Sequence, residues 1–169
     1  MTQVAWFKKV SKENFVDAII NGDRKFTKEE AEQMYDNLVL PKRATTGSAG
    51  YDFFAPYEFT LYPGEVLKIP TGIRTEIREG WTLMIFPRSG LGFKYRERLN
   101  NTVAVIDQDY FYSDNEGHIF IKLSNEGDLP MTVEKGKAFA QGVFLHYGIT
   151  YDDNATDTRN GGLGSTDKK

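Results

Sequence analysis

Glu65-Val-Leu-Lys-Ile69, Ile73-Arg-Thr-Glu-Ile77 and Thr82-Leu-Met-Ile-Phe86 are short apolar-rich runs parted by Pro70-Thr-Gly72 and by Arg78-Glu-Gly80-Trp81. Runs this short, bounded by glycine and proline, read as strands joined by turns. The same texture continues through Ile119–Leu123 and Ala140–Leu145, so from Pro41 onward the chain predicts an antiparallel β domain. Many short strands at close spacing suggest a barrel or jelly roll. No internal repeat is visible.

Upstream, residues 3–9 predict an opening strand. Ser11 to Gly22 carries a serine cap, Phe15 and Ile19 on one face and a stopping glycine, which together predict a helix. Thr27 with Glu30 forms a capping box, and Ala31, Met34, Tyr35 and Leu38 follow a helical stripe, predicting a second helix over residues 28–37. The helical signals are confined to residues 11–37 and look like a decoration inserted into the β domain. After about Thr150 there is little to bury, so residues 151–169 predict a mobile, glycine-rich arm attached to a single domain over residues 1–150.

A chain of 169 residues is long enough for one domain with its own core. It has no cysteine, which removes disulfides, thiolate zinc sites and thiol nucleophiles, and two histidines, His118 and His146, are too few for a histidine-rich metal site. No apolar run approaches the roughly 20 residues of a membrane span and the first residues lack a secretory core, so the expectation is a soluble, cytoplasmic protein without membrane contact. A net charge of −3 argues against direct nucleic-acid binding, which needs a basic patch; any phosphate site must be local.

Such a local site is suggested by residues 87–110. Arg88, Ser89 and Gly90 put a guanidinium, a hydroxyl and a glycine-exposed N–H together in an anion-binding turn. Downstream, Val105-Ile-Asp-Gln-Asp-Tyr110 offers paired carboxylates and an aromatic ring at the end of an expected hairpin. Glycine and polar residues also concentrate at Ser48–Asp52, Gly136–Phe144 and Arg159–Thr166. Singly, each segment is explained as a turn, a strand or a linker, since short patterns match often by chance.

Together and in this order, from about Pro41 to Thr166, the segments resemble the five motifs of the homotrimeric dUTP pyrophosphatases, or dUTPases. The resemblance implies a jelly-roll-like subunit that forms a homotrimer with interfacial active sites. It also implies hydrolysis of dUTP to dUMP and pyrophosphate, which keeps uracil out of DNA and supplies dUMP for thymidylate synthesis, with Mg²⁺ held mainly by the substrate phosphates. Asp107 would activate the attacking water, as an ionised carboxylate is suited to do. Arg88, Ser89 and Gly90 would hold the phosphates and Gln141 would contact a phosphate or its water. Tyr110 would pack under the deoxyribose and exclude a 2′-hydroxyl. Backbone groups at Asn101, Val103, Val105 and Ile106, with Phe120 on the returning strand, would read uracil. Asp52 would support the site and reach the metal through water. Arg159 would meet the γ-phosphate, and Leu163, Gly164 and Ser165 would close over the nucleotide with the arm.

The chain departs from that pattern in several places. Residues 111–116 separate Tyr110 from Gly117 where the family has one residue, Ala104 replaces a glycine, and Leu163 replaces the phenylalanine that stacks on the base. Arg159 stands one residue closer to its glycines than is common, and the insertion at 11–37 has no counterpart in compact members. Two other functions compete: a trimeric, nucleotide-switched regulatory protein with a protein partner on the insertions, and a dCTP deaminase, against which Asp107 and Tyr110 argue.

Overall fold

A computed structural model describes residues 2–161. Its elements in chain order are β1 (Ala5–Lys9), α1 (Lys12–Ile20), α2 (Lys28–Asp36), β2 (Lys42–Arg43), β3 (Tyr51–Phe54), β4 (Phe59–Leu61), β5 (Val66–Pro70) and β6 (Ile73–Ile77). There follow β7 (Trp81–Pro87), α3 (Ser89–Tyr95), β8 (Glu97–Leu99), β9 (Ala104–Ile106), a 3-10 turn (Gln108–Tyr112), β10 (Phe120–Asn125), β11 (Met131–Val133) and β12 (Ala138–His146). The strands pair antiparallel throughout, in sheets ordered β2-β3-β12-β7-β9, β5-β10-β8, β1-β6 and β4-β11. The subunit is mainly β and jelly-roll-like, as the turn-punctuated runs predict.

Alternation fixes which face of each strand is buried. In β6, Ile73, Thr75 and Ile77 turn inward while Arg74 and Glu76 do not. Leu67 and Ile69 from β5, Leu83 and Ile85 from β7, Ile121 and Leu123 from β10, Phe53 from β3 and Phe139 from β12 meet in one core. Each large side chain removed from water there contributes about 1.5–3 kcal/mol before entropy is counted.

The two helices form where the caps predict them. Ser11 Oγ accepts from the Asn14 N–H, and the Thr27–Glu30 capping box closes in both directions. The first helix stops at Ile20, with Asn21 rather than Gly22 as its C-cap. Phe15, Val16 and Ile19 bury against Ala31 and Met34 and onto the β domain. The packing is close at Gly72, the turn between β5 and β6: with φ +71°, a Cβ there would stand 2.3 Å from Leu38 Cδ1 and 2.9 Å from Phe15 Cδ2. The insertion is therefore seated on the barrel.

Candidate active site

One group of predicted residues gathers at the carboxyl end of β7. Strand β12 lies between β3 and β7, with Gln141 opposite both Asp52 and Phe86. Arg88 Nε stands 3.3 Å from Asp52 Oδ1, and Gln141 Nε2 donates to the Pro87 carbonyl at 3.0 Å. Gly50 makes room for that glutamine, since a Cβ at Gly50 would fall 2.6 Å from Gln141 Oε1. The anion-binding turn expected at Arg88-Ser89-Gly90 is instead the start of helix α3: Arg88 is its extended N-cap, with no side-chain capping bond. The first N–H groups of a helix have no acceptor within it, so Ser89 and Gly90 still present donors beside the Arg88 guanidinium.

A second group gathers around Asp107. β9 pairs with β7, Ile106 opposite Leu83 and Val105 opposite Met84, and Thr82 Oγ1 donates to the Ile106 carbonyl at 3.0 Å. Asp107 leaves this strand extended and its carbonyl accepts from the Tyr110 N–H, which starts the 3-10 turn. Its carboxylate is half exposed and receives Arg159 Nη2 at 2.5 Å, while Arg159 Nε donates to Asp109 Oδ1 at 2.9 Å. The guanidinium also lies 5.9 Å from the centre of the Tyr110 ring. Tyr110 is buried: its hydroxyl donates to the His118 carbonyl at 2.7 Å and accepts from Asn115 Nδ2 at 2.9 Å.

The returning strand of the expected hairpin runs against β8 and β5 rather than against β9. Phe120 pairs with Pro70, and β8 leaves the sheet after Leu99, where the Thr102 N–H bonds to the Leu99 carbonyl at 2.9 Å. There the chain turns sharply, with Thr102 at φ +66° and the Val103 N–H bonded to the Asn101 carbonyl at 2.7 Å. Asn101 is exposed and Val105 half exposed on this rim.

The two groups do not meet within one chain. Asp107 lies beyond Ile106, level with Thr82, whereas Arg88 follows the far end of the same strand. At about 3.3 Å per residue that separation is about 20 Å. A groove of about 1060 Å³ near β1, lined by Trp6, Arg43, Tyr51, Trp81 and Phe144, holds none of the predicted site residues and borders the Ser48–Asp52 segment at Ser48, Ala49 and Tyr51. Leu163, Gly164 and Ser165 lie outside the described residues.

Several residues to which sequence reasoning gave no role at the site join these groups: Asp109 as the second acceptor for Arg159, Asn115 and His118 on Tyr110, and Glu97 under the start of α3. Glu97 is buried and neither carboxylate oxygen completes a hydrogen bond. Burial pushes its pKa up to about 8, with the Arg88 backbone and guanidinium pulling the other way. His118 is enclosed, and burial lowers its pKa to about 4 against the pull of Glu116. A lone histidine between Gly117 and Ile119 gave no sign of this.

Among the described residues, no three His, Cys, Asp or Glu side chains cluster as a metal cage. Mg²⁺ is commonly held by one or two carboxylates, waters and substrate phosphates, and the carboxylate of Asp52, mostly buried beside Arg88, suits that limited role. No helix among the described residues is long and apolar enough to cross a membrane.

The chain thus carries an arginine–serine helix start beyond one end of a strand and a half-exposed carboxylate beside the other. The sequence pattern of the dUTPase family matches residues 36–167. The chain is 40% identical over 130 residues to a deoxyuridine 5′-triphosphate nucleotidohydrolase of Lactococcus lactis, covering 75% of this chain and 87% of that one. It is 39% identical over 142 residues to the enzyme of the same name from Chromobacterium violaceum, covering 79% and 90%. The crystal structure of dUTPase from Streptococcus mutans superposes with a TM-score of 0.63 at 30% identity, covering 85% of this chain and 97% of that one. The chain belongs to the dUTPase family.

Proposed function

We propose that this protein hydrolyses dUTP to dUMP and pyrophosphate, with Asp107 activating the attacking water, at sites shared between the copies of a homotrimer. The observation that carries the shared site is the separation of Asp107 from Arg88 along β7. That separation keeps Asp107 and Arg88 of one chain from converging on the same phosphate, whereas a closed ring of copies brings the Asp107 end of one against the Arg88 end of its neighbour.

In this reading Asp107 orients a water and takes its proton as the water's oxygen attacks the α-phosphorus. The bond from that phosphorus to the bridging oxygen breaks and pyrophosphate leaves. Arg88, Ser89 and Gly90 hold phosphate oxygens, and Gln141, fixed by its bond to Pro87, contacts a phosphate or the water. Asp52 would support Mg²⁺ through water, and the ion when bound would neutralise the charge that gathers on the leaving group.

Selectivity has two parts. The turn at Asn101–Val103, with Val105, Ile106 and Phe120, reads uracil through backbone groups; a cytosine amino group facing a backbone donor would leave polar atoms unpaired at about 1–3 kcal/mol each. The Tyr110 ring lies under the deoxyribose and leaves no space for a 2′-hydroxyl. Arg159 covers Asp107 when no nucleotide is bound and moves to the γ-phosphate when one is, while Leu163, Gly164 and Ser165 close over the base. The free nucleotide substrate fits a cytoplasmic enzyme.

The direct test is pyrophosphate release with Mg²⁺ from dUTP, dCTP, dTTP and UTP. Release from dUTP alone, abolished by Asp107→Asn, is expected; release that survives the substitution would remove Asp107 from the chemistry.

A further inference from the structure

We propose that the two insertions act together as one brace for the Tyr110 ring, with Asn14, Asn115 and His118 as positioning residues that set discrimination between deoxyribose and ribose. The inference rests on the reading that Tyr110 packs under the sugar.

The insertions are far apart in sequence and are bonded to each other. Ser11, the cap of α1, donates from its N–H and its hydroxyl to the Glu116 carboxylate at 2.7 and 2.6 Å. Asn14 Nδ2 donates to the Asn115 carbonyl at 3.2 Å, and Asn14 Oδ1 lies 2.8 Å from His118 Nδ1. His118 Nε2 accepts from the Gly72 N–H at 2.9 Å, so the ring proton sits on Nδ1 and is given to Asn14. Asn115 Oδ1 accepts from the Gly117 N–H at 3.2 Å, which leaves its Nδ2 to donate to Tyr110 Oη. On the far side, Arg74 stacks 3.6 Å over the Phe111 ring and donates to the Phe111 carbonyl at 2.6 Å.

The chain of bonds ends on the phenol. Tyr110 Oη has one proton, given to the His118 carbonyl, and accepts Asn115 Nδ2, so both of its directional roles are taken by residues that α1 holds in place. A ring anchored at its para position cannot swing on its Cβ, and its height under the sugar is fixed. Releasing the hydroxyl leaves the ring in the pocket and lets it retreat by a fraction of an ångström, enough to admit an extra oxygen. A purely structural brace would lower melting temperature and leave the substrate ratio alone.

The experiment compares kcat/KM for dUTP and UTP, with melting temperatures, in wild type, Tyr110→Leu, Tyr110→Phe, Asn115→Ala, Asn14→Ala and Asn14→Asp. Tyr110→Leu tests the reading beneath the inference: an unchanged ratio there removes Tyr110 from sugar selection and overturns both. With that ratio lost, the brace predicts a fall in dUTP preference on the order of tenfold in Asn115→Ala, Asn14→Ala and Tyr110→Phe, mostly through a lower KM for UTP. Asn14→Asp keeps the acceptor for His118 but not the donor to Asn115 and should fall between. Should Asn14→Ala fail to fold, Tyr110→Phe and Asn115→Ala decide: wild-type ratios in both, with Tyr110→Leu impaired, overturn the brace and leave the reading of Tyr110 standing.

Discussion

Arg88 and Asp107 stand at opposite ends of β7, Arg88 one residue past its last member and Asp107 level with Thr82 on the neighbouring strand. The pairing of β9 with β7 creates this relationship. It sets the carboxylate and the guanidinium apart, so in the reading proposed above a single copy presents two half-sites rather than one site.

The phosphate half depends on a glycine that carries no chemistry. A Cβ on Gly50 would meet the far end of the Gln141 side chain, at 2.6 Å from Oε1, and that end can swing away. Gly50→Ala is therefore expected to fold with a melting temperature close to wild type and to raise KM for dUTP several-fold, because Gln141 loses its bond to Pro87. Steady-state kinetics alongside thermal denaturation checks it; an unchanged KM would detach Gln141 from the substrate.

The arm is docked by two carboxylates, and Asp109 contributes one of them without being assigned to the chemistry. Both it and Asp107 are about half exposed, so the pair is worth up to about 1 kcal/mol. Asp109→Asn should speed trypsin cleavage after Arg159 roughly two- to fivefold in the nucleotide-free protein, as that energy implies. Equal cleavage rates would mean that the Asp109 contact does not hold Arg159 in solution.

Glu97 makes the phosphate half costly in alkali. Its folded pKa is pushed up to about 8 by burial, whereas the unfolded chain loses the proton near 4.5. The folded state thus binds the extra proton between those values, and the stability it gives is complete below about pH 4.5 and lost as pH rises through 8. Glu97→Gln keeps the neutral shape at every pH. It should melt several degrees higher than wild type at pH 8 and at the same temperature near pH 4.5, as scanning calorimetry at both values would register.

The sequence made much of this readable, for local reasons. The Thr27–Glu30 capping box, the alternation in Ile73–Ile77 and the turn glycines each act within a few residues, and the elements formed where they predict. The residues of the motifs could be picked out because each keeps its chemistry in the local pattern. What stayed hidden depends on distant partners. That β9 joins β7 and not β10 is decided by packing, and it is what parts Asp107 from Arg88. The bonds of Ser11 to Glu116 and of Asn14 to Asn115 and His118 link residues about a hundred positions apart, so the two insertions read as separate until the fold joins them. Helix α3 is not legible as a helix, since Gly90 and Gly92 lower helix propensity and tertiary context overrides it.

The measurement closest to the central claim is subunit complementation. Asp107→Asn and Arg88→Ala, each inactive alone, are unfolded together, refolded and assayed for pyrophosphate release from dUTP, with mixed assemblies confirmed by native mass spectrometry. A site built from Asp107 of one copy and Arg88 of the next predicts recovery to roughly a quarter of wild-type activity, the share of interfaces that pair two intact halves in a randomly mixed ring. Mixed assemblies as inactive as either parent would contradict it.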